Sequence, residues 1–170
     1  NKIMDNFELN NFNRVSIKGD GHCLFRAIAF GLFEMHKTNP QLRMSNEHQL
    51  RVAKKLRKIA AKELINQTAM VYNQVLADLP NGFHEDYDIP KNAADNVKFR
   101  RYKKELANGN LWGGEVEISL LAHYLQRPIF VYQQGWDGPV PYGDDYEDKK
   151  PIRIVRVNRN HYDALVPSED

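Results

Sequence analysis

The 170-residue sequence predicts an α+β fold in which a small mixed or antiparallel sheet packs between helical regions. Two observations carry this. Segments with apolar residues spaced by three and four fill most of the chain before Pro128, and runs rich in Ile, Val and Tyr gather after it. Helices that come first and strands that come last favour helices packed on a sheet over an alternating, doubly wound arrangement. Neither a sequence repeat nor a low-complexity segment interrupts the order.

Arg14-Val15-Ser16-Ile17 is a short alternating run that stops at Gly19, so an extended lead-in precedes the stretch "KGDGHCLFRA" at residues 18–27. From Cys23 onward Leu24, Ala27, Ile28, Gly31 and Leu32 follow helical spacing, which places Cys23 at a helix N-terminus. Pro40 and Ser45 punctuate the next connection. Ser45 is suited to cap a long helix with Leu50, Ala53, Leu56, Ala60 and Leu64 on one face. A further helical segment to about Leu79 is expected, then a break at Pro80-Asn81-Gly82 and an acidic loop from His84 to Pro90. Another helix is expected from about Ala93 to Ala107, closed by Asn108-Gly109-Asn110.

In "LWGGEVE", residues 111–117, the glycines make a turn and the glutamates fall in the first helical turn, where the helix dipole favours them. Ile118, Leu121, Ala122 and Leu125 then form the buried stripe. Residues 128–132 read as a buried strand, and residues 133–150 as a hairpin-like excursion or loop. Residues 152–157 and 161–166 have the composition of two closing strands.

Length suits a single domain over residues 1–170, and a chain that begins at Asn1 reads as a piece cut from something longer. No apolar run approaches the roughly 20 residues of a membrane-spanning helix, so no membrane association is expected of this domain. Net charge of +2 gives no global field for nucleic acid. Lys54, Lys55, Arg57, Lys58 and Lys62 do cluster, as do Arg100, Arg101, Lys103 and Lys104, but neither group carries interleaved aromatics for base stacking, and both read as solvated helix faces. One cysteine forms no internal disulfide, which suits a reducing compartment and points to the cytosol.

That cysteine admits three readings: a small buried hydrophobe, a metal ligand or a nucleophile. Ligand-spaced partners are lacking near it, so no metal and no cofactor is expected. A thiol at a helix N-terminus feels the positive end of the dipole, which favours the thiolate. Backbone amides of the glycine-framed turn at Gly21, His22 and Cys23 are placed to converge as an oxyanion hole. His22 is a poor base, because side chains adjacent in a tight turn diverge. His36, His48, His84 and His123 sit on helical or loop segments with no fixed carboxylate pattern around them and read as exposed polar residues. His161 has a carboxylate neighbour: in a strand, residues two apart share a face, so Asp163 lies beside it while Tyr162 points away. Cys23, His161 and Asp163 thus form a self-consistent nucleophile, base and orienting acid.

"GDGHCLFRA" at 19–27, "LWGGEVEISLLAHYLQRPIFVY" at 111–132 and "NHYDAL" at 160–165 resemble, in order and spacing, the three motifs of the ovarian tumour (OTU) family of cysteine proteases. The resemblance implies a papain-like fold and a monomeric deubiquitinase acting on ubiquitin or polyubiquitin. It gives Cys23, His161 and Asp163 the catalytic roles, makes Asp20 a shaper of the Cys loop, and puts the oxyanion hole at the backbone amides there and at Cys23. It also places Trp112, Gly113 and Tyr162 along a narrow channel for the ubiquitin Gly-Gly tail, and makes Glu117 structural. Aromatic walls too close together for a side chain select such a tail sterically. Most binding energy then comes from a remote surface, expected at residues 46–80 and 81–92. A protease for a ubiquitin-like modifier and a non-catalytic ubiquitin-binding module stand as alternatives. If the source is a virus or a bacterial effector, the working compartment is a host cytosol.

Overall fold

The computed structural model of the protein describes residues 11–64, 94–158 and 160–168. The helical segment expected to reach Leu79, the break at Pro80-Asn81-Gly82 and the loop from His84 to Pro90 lie outside the described residues.

The elements run β1 (Phe12–Val15), α1 (Cys23–His36), α2 (Asn46–Glu63), α3 (Asp95–Ala107), α4 (Glu115–Leu125), β2 (Ile129–Gln133), β3 (Val140–Tyr142), a short 3-10 turn (Asp144–Tyr146), β4 (Ile152–Val157) and β5 (His161–Pro167). Their strands form one mixed sheet in the order β1-β5-β4-β2-β3. Only β2 and β4 run parallel; the other three pairings are antiparallel. The excursion after residue 133 is indeed a hairpin, since Val140–Tyr142 returns along β2. Pro141 is tolerated there because β3 is an edge strand, where a missing N–H breaks no ladder bond.

Helix α1 lies between the sheet and α2, packing on β5, β4 and α2. Its first two turns are therefore apolar nearly all round: Leu24, Phe25, Ala27, Ile28 and Ala29 are all buried. Full burial of a Leu, Ile or Phe side chain contributes roughly 1.5–3 kcal/mol, so this stretch is a large share of the core. Helix α2 begins as its sequence indicates, with Ser45 Oγ accepting the His48 backbone N–H at 3.1 Å. It buries Ala53, Leu56, Ala60 and Leu64 against α1, α3 and α4.

A solvated face for the basic residues of α2 does not hold for Arg57, which is 0 % exposed. The reason lies in its phase. Arg57 is four residues after Ala53 and three before Ala60, so it belongs to the buried stripe, while Lys54, Lys55 and Lys58 face out.

The far side of the sheet holds a second apolar cluster of Tyr132, Val155 and Leu165, with Phe12, Phe130 and Val157 packed against it. Arg153 covers part of it, its guanidinium 4.6 Å from the Phe12 ring centre and 5.6 Å from that of Phe130.

Candidate active site

The loop before α1 is shaped by two buried arginines. Gly21 adopts φ +85°, open to glycine and strained for most L residues, and the chain then enters α1 with His22 as its N-cap. Asp20 Oδ1 accepts the His22 backbone N–H at 3.1 Å, a local Asx-type turn. The same carboxylate takes Arg26 Nη2 at 2.8 Å and Nε at 3.0 Å. Arg26 is itself buried and donates onward to Gln49 Oε1 and the Asn46 carbonyl on α2. Partial burial raises the Asp20 pKa, but the hydrogen bonds from Arg26 and the His22 amide outweigh it and hold the carboxyl below its ordinary value.

Arg57 fastens the loop from behind. Its Nε donates to His22 Nδ1 at 2.8 Å and its Nη2 to the Gly21 carbonyl at 2.6 Å. Its Nη1 reaches the Leu106 and Leu111 carbonyls, and the guanidinium stacks 4.6 Å from the Phe25 ring centre. One side chain thus ties the Cys loop to the residue preceding Trp112. Burial pulls its pKa down to about 10, so it remains a cation at neutral pH. His22 is engaged in the wall of the loop, and desolvation together with the Arg57 charge lowers its pKa.

Cys23 is the first residue of α1, where the spacing puts it, and is 5 % exposed. The expected drift toward thiolate is reversed. Burial pushes the thiol pKa up, and hydrogen bonding by the Tyr162 and Leu24 backbone amides only partly opposes it. The thiol donates to the Asn160 carbonyl at 3.6 Å, so the start of β5 lies against the sulfur.

β5 begins directly after a turn in which Asn158 adopts φ 61°, and His161 is its first residue, paired with Val157. His161 Nε2 donates to Asp163 Oδ1 at 2.8 Å, the contact that strand alternation predicts. An ionised carboxylate only accepts, so the Nε2 bond leaves the lone pair of a neutral ring on Nδ1. That nitrogen faces the Cys loop: a Cβ built on Gly19 would sit 3.7 Å from it. Asp163 is buried, and its Oδ1 also accepts the Ile17 N–H at 2.8 Å, while Arg14 Nε lies 3.5 Å from Oδ2. Arg14, Arg26, Arg57 and the Ile17 amide are the supports that sequence reasoning missed. Of these, Arg57 alone had a legible signal, its place on the apolar stripe of α2.

The three residues expected along the tail channel separate. Trp112 is 47 % exposed, and its Nε1 would be 3.1 Å from a Cβ on Gly21, so the indole overlies the Cys loop. Gly113 turns inward: a Cβ there would overlap Leu24 and come within 2.9 Å of Phe25. Tyr162 is 4 % exposed in the principal core, and burial pushes its pKa up to about 12. Glu117 is buried at the third position of α4, accepting the Gly114 N–H at 2.7 Å and the Tyr102 hydroxyl at 2.6 Å, and so braces the Trp112 turn. Burial raises its pKa. His36, His48 and His123 are exposed, and His84 lies outside the described residues.

A cysteine opening the central helix, set against an imidazole–carboxylate pair on an adjacent strand, is the layout of the papain-like class of cysteine proteases. The family model for OTU-like cysteine proteases matches residues 18–162, and the chain belongs to that family. It is 30 % identical over 164 residues to the Arabidopsis thaliana OVARIAN TUMOR DOMAIN-containing deubiquitinating enzyme 4, covering 93 % of this chain and 44 % of the relative. Human Deubiquitinase OTUD6B is 27 % identical over 158 residues, 88 % of this chain and 44 % of its own length. The chain thus spans about half the length of such relatives. Among solved structures, an OTU deubiquitinase from Wolbachia pipientis wMel shares the fold with a TM-score of 0.62 at 15 % identity, over 93 % of this chain and 90 % of that one. An OTU domain solved in complex with ubiquitin gives 0.55 at 24 % identity, over 91 % and 69 %.

Proposed function

We propose that the chain is the catalytic part of a deubiquitinase that hydrolyses the isopeptide bond between the ubiquitin C-terminal glycine and a lysine. The observation that carries this reading is the 2.8 Å His161–Asp163 pair, on the strand that lies against the Cys23 sulfur. Membership of the OTU-like cysteine protease family and similarity to deubiquitinating enzymes support ubiquitin as the substrate.

In this reading Cys23 Sγ attacks the glycine carbonyl while its proton passes to His161 Nδ1. Asp163 holds the imidazole and stabilises the imidazolium. The oxyanion is met by backbone amides of the Cys loop. The His22 amide, one of the expected donors, is engaged by Asp20 Oδ1, which leaves that task to Gly21 and Cys23. The leaving lysine amine takes the proton from His161. Water, deprotonated by the same nitrogen, then hydrolyses the thioester and returns a free thiol and a ubiquitin carboxylate. Because burial keeps Cys23 a neutral thiol, the histidine acts as a true general base rather than as half of a resting ion pair.

Trp112 forms one wall of the tail channel over the Cys loop, and Gly113 and Tyr162 shape it from beneath. The domain works as a monomer in a reducing compartment, the cytosol or a host cytosol, where its thiol stays reduced.

A ubiquitin probe with a thiol-reactive C-terminus tests the assignment. Wild type forms a covalent adduct and Cys23→Ala forms none. A probe built on a ubiquitin-like modifier that labels the protein while the ubiquitin probe does not would refute the substrate, and labelling that survives Cys23→Ala would refute the nucleophile.

A further inference from the structure

Behind the Cys loop lies a cavity of about 340 Å3 lined by His22, Lys54, Arg57, Lys58 and Gly109 among others. The reaction described above makes no use of it. Among the described residues that line it, none is a carboxylate. We propose that this cavity binds a phosphate-class oxyanion, held by the His22 Nε2–H and by the ammonium groups of Lys54 and Lys58.

The tautomer of His22 is fixed by Arg57. Arg57 Nε is an obligate donor and lies 2.8 Å from His22 Nδ1, so that nitrogen must present its lone pair. A neutral His22 therefore carries its hydrogen on Nε2, and burial and neighbouring cations keep the ring neutral. The Nδ1 edge is turned to buried Arg57, which leaves the Nε2 edge for the cavity. A ring fixed in this way is an oriented donor.

Charge favours an anion there as well. Lys54 and Lys58 are i and i+4 on α2, exposed, and side by side at the cavity mouth. Like charges at that spacing oppose each other. Among the described residues neither pairs with a carboxylate, and the Arg57 cation lies beneath them. Asp20, a carboxylate whose charge acts on His22, is occupied by Arg26. An anion with several acceptor oxygens answers both the fixed N–H and the two ammonium groups. The volume lies at the small end of ligand pockets, with room for a phosphoryl group bearing a substituent. Any ligand there touches the residue next to Cys23. The proposal stands independently of the ubiquitin assignment.

The test is a histidine-labelled NMR titration of the wild-type chain with inorganic phosphate at constant ionic strength, sodium chloride being the control and adenosine monophosphate a second arm. Expected is a saturable shift of the His22 imidazole signals with phosphate and none with chloride. In a Lys54→Gln/Lys58→Gln variant with an otherwise unchanged spectrum, the apparent Kd rises at least about tenfold. Saturation by the nucleotide as well assigns an esterified phosphoryl ligand; saturation by phosphate alone assigns the free ion. A linear response, an equal effect of chloride, or an unchanged Kd in the double variant overturns the proposal.

Discussion

The two halves of the candidate active site are held by opposite strategies. The Cys loop has little regular structure of its own, and buried arginines clamp it: Arg26 through the Asp20 carboxylate, Arg57 through the Gly21 carbonyl and the His22 ring. The histidine side is held by sheet geometry. β5 pairs with β4 and β1 along its length, and the strand period alone puts Asp163 beside His161. The first half depends on side chains distant in sequence and on desolvated charge. The second depends on backbone ladders and one local pair, with the Ile17 amide and Arg14 holding Asp163 from a neighbouring segment. Substitutions that attack each support separately test this contrast.

The largest effect falls on the chemistry. His161→Ala is expected to lower kcat/KM on a ubiquitin substrate by about 10³-fold or more, whereas His22→Ala keeps a working base and loses activity only as far as the loop shifts. Equal losses in the two variants would contradict the assignment of His161. Arg57→Met comes next and acts on stability. It strips the donor from the carbonyls of Gly21 and Leu111 and from His22 Nδ1, while Leu106 keeps the Gly109 N–H, and buried acceptors left unpaired cost about 1–3 kcal/mol each. Urea unfolding should show a loss of at least about 3 kcal/mol with an unchanged m-value.

Asp163 offers a finer cut. Asp163→Ala removes the group orienting the imidazole and should reduce kcat about 10²-fold, leaving partial activity. Asp163→Asn keeps an oxygen able to accept from both His161 Nε2 and the Ile17 amide, as the Asn of papain-like Cys-His-Asn triads does, so its loss should be smaller than that of Asp163→Ala. Identical losses would mean that charge, not orientation, is what Asp163 supplies.

The smallest effect is a pH profile. Because the folded Cys23 pKa is raised by burial, the thiol is protonated at neutral pH, and alkylation by iodoacetamide should keep accelerating as pH climbs beyond the ordinary thiol range. The linkage sign follows. Above the unfolded thiol pKa the unfolded chain releases a proton that the folded chain retains, so this group makes stability fall as pH rises from there to the folded pKa. A rate plateau at acidic pH would show a preformed thiolate instead.

Much of this was legible locally. The start of α1 at Cys23, the Ser45 cap, the glycine-closed end of α3 and the strands β2, β4 and β5 all follow from spacing and punctuation. The preference for His161 over His22 as base was likewise a local argument about diverging side chains, and the structure adds that His22 Nδ1 accepts from Arg57. The thiol was misjudged because the dipole argument weighs one local term, and burial by the rest of the core outweighs it. Arg57 was placed on the solvated face because charge was weighed before phase, and its four oxygen and nitrogen acceptors come from three separate parts of the chain.

The sequence by itself determined which residues begin the helix and which share a strand face, because helical and strand periods are properties of neighbouring residues. It therefore placed Cys23 at the head of α1 and Asp163 next to His161. Only the tertiary structure decided which charges lost their water. Desolvation and long-range hydrogen bonds depend on what packs from dozens of residues away, and they set the state of Cys23, the tautomer of His22 and the role of Arg57.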